Sequence, residues 1–337
     1  MIARKLRLER TKSKLADAQN MRTAVIVKPL HVQMQEAAVS EPKGRALRIK
    51  LQGCGVCGSN IPLWEGRPWF GYPLSAGAPG HEGWGIVDAV GSEVNDIRPG
   101  ESVAFLSNHA YAEYDTADRD SVLRLPASLD AMPFPAEPLG CAMNVFRRSG
   151  IRAGDRVAIV GIGFLGAVVT RLAVQAGARV AAISRRRFAL QVAESLGAER
   201  IEALDDPGRA RDAVLAWTKQ KGCECVVEAV GRQETVDLST ELTCERGRLV
   251  IAGYHQDGPR QVNMQLWNWR GLDVINAHER QPRAYLTGMQ AAVDAIGSGL
   301  LDPLPLLTHV FPLDELSDAF EAARNRPDGF LKALVVP

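Results

Sequence analysis

The chain has 337 residues, 46% hydrophobic and 23% charged, which is the composition of a soluble globular protein long enough for two domains with separate cores. Its 40 Lys and Arg against 39 Asp and Glu leave a formal charge of +1, so no basic field points to nucleic acid or an anionic membrane as a partner. No apolar run approaches the roughly 18–20 residues of a transmembrane helix.

The first 20 residues are basic and lack the apolar core of a secretory signal, and Glu9 and Asp17 argue against an organelle transit peptide. They read as a solvated, disordered extension, with the first strand opening at Met21. From Met21 to about Met143, short β-like runs such as "TAVIVK", "ALRIKLQGCG", "WGIVDAVG" and "SVAFLS" are split by Gly and Pro, which predicts an irregular β domain. Near Arg147 the pattern changes to strand, glycine turn, apolar helix and strand in "DRVAIVGIGFLGAVVTRLAVQAGARVAAIS". "ALQVAESLGA" predicts a helix, "CECVVEAVG" a buried strand, "ETVDLSTELTCERG" a helix closing on glycine, and "RLVIAGY" another strand. Such alternation implies a parallel sheet covered on both faces. Two amphipathic helices follow, in "AYLTGMQAAVDAIGSG" and "LDELSDAFEAARN", and "FLKALVVP" ends the chain as an edge or closing strand. The six cysteines are too scattered for a secreted disulfide framework, so a reducing cytoplasm is expected.

Gly161-Ile162-Gly163-Phe164-Leu165-Gly166 is a GxGxxG between a predicted strand and a predicted helix. In that context it reads as a dinucleotide site. Gly161 suits the tight turn, Gly163 the approach of a pyrophosphate, and Gly166 close helix–strand packing. The helix N-terminus offers unpaired N–H groups to phosphate. At the tip of the second strand, where an NAD site carries an acid, the chain reads Ser184-Arg185-Arg186-Arg187. A hydroxyl and guanidinium forks suit a 2′-phosphate, so NADP(H) is favoured over NAD(H).

"GVCGSN", "PGHEGWG" and "AEPLGCAMN" supply one thiolate, one imidazole and carboxylates: Cys57, His81, Glu82 and Glu137, with Cys141 as a lesser candidate. A mixed set of this kind suits an open, catalytic zinc rather than a closed structural one.

With "GIGFLG" and "VVEAVG" added, these motifs resemble, in order and spacing, the medium-chain dehydrogenase/reductase family in its zinc-dependent alcohol and polyol branch. The resemblance runs from Met21 to Pro337. It implies an α/β fold: a GroES-like β-rich catalytic domain (21–144 and 281–337) and a doubly wound Rossmann domain (145–280). It also implies Cys57 and His81 as zinc ligands and Glu82 as a ligand or near neighbour. Glu137 is then the carboxylate beside the metal, and Ser59 the hydroxyl that passes on the substrate proton. Cys54 becomes a packing residue. A homodimer or homotetramer is implied by the same resemblance. Three departures stand out. No cysteine lies between Glu82 and Glu137, so a structural zinc is not expected and one zinc per chain is. Pro62 occupies the place of a relay histidine, and Asn60 that of an aspartate.

The expected chemistry is hydride transfer between NADP(H) and a secondary alcohol or polyol and its ketone, with zinc as Lewis acid. The alternatives are a zinc-free NADPH enone or quinone reductase and a non-catalytic nucleotide-binding protein on the same fold. Trp64, Trp69, Phe70 and Tyr72 are candidate substrate walls, His255 and His278 candidate pocket residues, and Lys332 a candidate phosphate contact.

Overall fold

The computed structural model describes residues 20–130 and 132–337. The expected extension falls on residues outside these up to 19, and Asn20 already opens the first strand. None of the described helices is long and apolar enough to cross a membrane.

Two sheets carry the molecule, beside an antiparallel ribbon of β1 (Asn20–Lys28) and β2 (His31–Ala38). The first sheet is mixed. It is built on β3 (Ala46–Gly55), β4 (Gly83–Val90), β5 (Ser102–Phe105), β6 (Tyr114–Asp118) and β7 (Val122–Arg124). The short helix α1 (Ile61–Glu65) interrupts it, and α2 (Ala136–Ser149) leads out of it.

The second sheet is all parallel, as the alternating pattern predicts. Its strands are β8 (Arg156–Val160), β9 (Arg179–Ser184), β10 (Arg200–Ala203), β11 (Cys223–Glu228), β12 (Thr243–Ile251) and β13 (Asp273–Asn276). They lie in the order β10-β9-β8-β11-β12-β13, the doubly wound order whose ligand crevice opens between the first and fourth strands. Val157–Val160 and Val180–Ile183 are buried on both faces, as expected of strands covered by helices. The covering helices are α3 (Phe164–Gln175), α4 (Arg187–Ser195), α5 (Pro207–Trp217) and α6 (Gln233–Leu242), with α7 (Met264–Arg270) beside β12. At α5, Asp206 accepts from the amides of Gly208 (2.9 Å) and Arg209 (3.1 Å), and Pro207 follows at the first helical position.

The chain then returns through α8 (Pro282–Gly297), β14 (His309–Pro312), α9 (Leu316–Asn325) and β15 (Ala333–Val336). β15 lies between β14 and β3, so the last strand is interior to the mixed sheet and not at its edge. α2 crosses α8 closely. A Cβ on Gly288 would stand 2.5 Å from the Gly140 carbonyl oxygen, so glycine at this crossing lets the two backbones meet. One sequence expectation shifts: the helix predicted to run to Gly247 stops at Leu242. Thr243 is already extended and opens β12, because Thr243–Ile251 pairs with β11 and β13.

Candidate active site

A cleft of ≈ 910 Å³ separates the two sheets, with Cys57, His81 and Glu137 on one wall and the Gly161–Gly166 turn on the other. The metal side is assembled from three distant segments. Cys57 follows β3 by two residues and His81 stands two residues before β4, so the pairing of these two strands brings the residues together. Donor atoms of Cys57, His81 and Glu82 all lie within 4.8 Å of one another. Glu137, in the first turn of α2, lies on the same wall and accepts from the Cys141 thiol (3.2 Å).

The surroundings fix these donors. Asn60 Oδ1 accepts from the Cys57 amide (3.2 Å) and from the Tyr111 hydroxyl (2.8 Å), while Nδ2 donates to the Pro79 carbonyl (3.1 Å). The imidazole of His81 donates from Nδ1 to the same carbonyl (2.9 Å), which leaves Nε2 to face the cluster. Asn60 therefore holds both ligand segments, although it stands where the resemblance leads one to expect an acid.

Glu82 is fully buried. Lys332 Nζ donates to its Oε1 (2.6 Å) and lies 2.5 Å from Oε2, off the hydrogen-bond axis, so Oε2 has no aligned donor. A Cβ on Gly55 would sit 1.8 Å from that oxygen; only glycine leaves room for it. The same ammonium donates to the Val56 carbonyl (3.1 Å). Lys332 is thus spent on Glu82 and does not serve as a free phosphate contact.

The electrostatics favour a cation. Burial alone would lower the His81 pKa, yet Cys57, by attraction and hydrogen bonding, and Glu137 and Glu82 behind it raise it to about 10. Burial likewise raises the Glu137 carboxyl against the pull of His81. A thiol, an imidazole and a buried carboxylate with donor atoms within 4.8 Å of one another match the donor set of an open zinc site.

On the nucleotide side each glycine has a distinct geometry. Gly161 has φ +103°, in the left-handed region. Gly163 has nothing within 4 Å of an added Cβ, so its open face is available to a ligand. Gly166 would place a Cβ 2.0 Å from the Gly161 carbonyl. Phe164 and Leu165 open α3 and line the cleft.

The strand tip differs from the sequence expectation. Ser184 is buried and Arg185 is exposed, and the chain supplies a carboxylate there after all: Glu234, from the first turn of α6, pairs with Arg185. Arg186 turns inward and donates to the carbonyls of Ile162 (3.0 Å) and Phe330.

The aromatic run does not wall the cleft. Trp64 is core, 5.7 Å from the Phe320 ring, and Trp69 is exposed; Ile61, Pro62, Glu65 and Arg67 line the cavity instead. His278 lines it too, with Nε2 3.0 Å from the Gly253 carbonyl. His255 is held away between buried Glu228 (3.0 Å) and Arg260 (2.9 Å). Cys54 is buried packing, as expected. The roles of two residues escaped the sequence reading. A lone Lys332 in the apolar "FLKALVVP" was a signal that a buried partner exists. Asn60 was noticed but given no role.

Two family profiles match the chain: an alcohol dehydrogenase GroES-like domain over residues 43–128 and a zinc-binding dehydrogenase over residues 165–296. The 2-dehydro-3-deoxy-L-galactonate 5-dehydrogenase of Pseudoalteromonas atlantica is 25% identical, over 87% of this chain and 92% of its own length. The L-threonine 3-dehydrogenase of Bacillus subtilis is 26% identical, over 90% of this chain and 94% of its own. Among solved structures, a putative zinc-binding dehydrogenase from Sinorhizobium meliloti bound to NADP is 26% identical. It superimposes with a TM-score of 0.82 over 95% of this chain and 100% of its own. With both lobes matched in order and the doubly wound sheet between them, the chain belongs to the zinc-type medium-chain dehydrogenase family.

Proposed function

We propose that this protein is a zinc-dependent oxidoreductase that moves hydride between a nicotinamide cofactor, NADP(H) in preference to NAD(H), and a secondary alcohol or polyol and its ketone. The observation that carries this reading is the convergence of Cys57, His81 and Glu82 donor atoms within 4.8 Å, across one cleft from the GxGxxG turn. Cys57, His81 and Glu82 would hold the metal, with Glu137 beside them, one zinc per chain and no structural zinc. Bound there, zinc supplies Lewis acidity toward the substrate oxygen.

The chain's own residues do the rest. Ser59 lines the cleft two residues after Cys57, and no protein group engages its hydroxyl among the described residues. It takes the substrate proton and passes it on. Pro62, which has no proton-carrying side chain, stands in the cleft beyond it, so the proton leaves to solvent in the cleft. Gly161, Gly163 and Gly166 bring the backbone and the α3 N-terminus to the pyrophosphate.

The named substrates of the two curated relatives, a deoxy sugar acid and threonine, support a hydroxylated secondary alcohol. The six unpaired cysteines suit the cytoplasm. Among the described residues β13 ends the parallel sheet, and Trp269 on α7, which precedes it in the chain, is exposed; both suit a homodimer or homotetramer.

Elemental analysis tests the reading. About one zinc per chain is expected, lost in Cys57→Ser. Polyols and ketones would then be turned over with NADP(H) by the wild type alone. Folded, never-chelated protein without zinc would overturn it and leave metal-free reductase chemistry.

A further inference from the structure

Three guanidinium groups line the cleft without an ion-pair partner among the described residues. Arg186 comes from just past the tip of β9, Arg232 from the turn before α6, and Arg326 from the end of α9, on the mixed-sheet lobe. They are close enough to act on one another. Burial lowers the Arg186 pKa to about 10 with Arg326 adding to the effect, and burial then Arg232 lower that of Arg326. Arg326 is exposed to solvent and lines the cleft.

No carboxylate forms an ion pair with any of the three among the described residues. The acids on the same wall, Glu234 and Asp257, are taken by Arg185 and Arg260. Asp257 feels Arg232 only at longer range. Two carbonyls engage Arg186, which leaves three of a guanidinium's five N–H donors.

The backbone at Arg326 adds an independent sign. It has φ +49°, the left-handed position that caps α9, where Gly or Asn is the unstrained choice. An arginine held there at a cost in backbone energy is the kind of strain that functional sites retain. Three like charges drawn from two lobes repel each other. A dianion placed among them reverses the sign of the interaction and ties the lobes together.

We propose that Arg326, with Arg186 and Arg232, forms a phosphate seat spanning the cleft that reads the 2′-phosphate of NADP(H). The seat lies where the adenosine ribose of a dinucleotide meets the second strand, whereas the pyrophosphate belongs to the α3 N-terminus. This inference rests on the NADP(H) reading above and changes its residues: Arg186, Arg232 and Arg326 carry the selectivity, and Arg185, already paired with Glu234, does not.

Calorimetric titration of the purified protein with adenosine 2′,5′-bisphosphate and with 5′-AMP tests it. The wild type binds the bisphosphate more tightly. Arg326→Gln weakens the bisphosphate roughly tenfold, as expected for one lost charge-assisted contact, and leaves 5′-AMP within about twofold. Arg232→Gln, on an exposed residue, repeats the test should Arg326→Gln fail to fold. A wild-type preference that persists in both variants overturns the seat but keeps the NADP(H) reading. Equal losses for both ligands also overturn it, because the arginines would then serve the 5′-phosphate or the fold. A wild type without preference overturns the NADP(H) reading, and the seat with it.

Discussion

The metal wall of the cleft is made by side chains, and the nucleotide wall largely by their absence. On the metal wall, Cys57, His81, Glu82, Glu137 and Lys332 are brought in from four separate stretches and oriented by Asn60, Pro79 and Tyr111. On the nucleotide wall, one six-residue turn omits three Cβ atoms so that backbone can meet backbone or ligand. The first arrangement concentrates buried charge and depends on every partner being present. The second depends on local backbone geometry. Substitutions in the two walls should therefore fail differently.

The largest effect belongs to Lys332. It is buried with Glu82, and Lys332→Met keeps much of the volume while leaving a carboxylate that is 0% exposed without its cation. Removing one partner of a buried pair costs about 3–5 kcal/mol. Urea unfolding of metal-free protein should show a loss of that order, with part of it recovered on adding zinc, which binds only the folded site. A loss below about 1 kcal/mol would mean that the buried carboxylate does not depend on the ammonium, and the contrast between the walls would weaken.

Next come two alanines in the glycine turn. Gly166→Ala forces a Cβ to 2.0 Å from the Gly161 carbonyl and should destabilise by about 1–3 kcal/mol while weakening cofactor binding. Gly163→Ala meets nothing within 4 Å and sits in extended backbone, so stability should change by less than about 0.5 kcal/mol. Its cofactor affinity should still fall, because the methyl occupies the approach to the pyrophosphate. Thermal unfolding and cofactor titration of the pair separate packing from binding. Unchanged affinity in Gly163→Ala would remove that glycine from the site.

The same contrast explains what the sequence made legible. The turn could be read directly, because six consecutive residues carry the whole geometry. Cys57, His81 and Glu137 could be singled out as candidates because each sits in a short motif whose order resembles a known family. The pairing of Lys332 with Glu82 spans 250 residues, and that of Arg185 with Glu234 spans 49; neither has a local signature. The strand tip thus looked free of acid until the fold delivered one. Trp64 is a candidate wall residue in the sequence, but burial against Phe320 takes it into the core. The helix expected through Gly247 ended at Leu242 for a similar reason: β12 had partners on both sides that no local propensity records.

The smallest effect sharpens the comparison from the side of the clamp. Tyr111 is buried with its ring edge-on to Phe320 at 5.6 Å, and its hydroxyl donates to Asn60 Oδ1 at 2.8 Å. Tyr111→Phe keeps the ring and removes that bond. Asn60 Oδ1 still accepts from the Cys57 amide, and the Gly55 carbonyl, 3.3 Å from the same hydroxyl, still accepts from the Cys54 thiol, so the loss should be about 1 kcal/mol. The amide of Asn60 would nevertheless be less firmly held, and with it the Cys57 segment and the carbonyl that orients His81. Zinc affinity, read by competition with a chromophoric chelator, should fall by about tenfold, the lower end for lost outer contacts at a metal site. A drop in stability with unchanged zinc affinity would mean that the backbone of the Cys57 turn orients the thiol by itself. The metal wall would then resemble the nucleotide wall more closely than its side chains suggest.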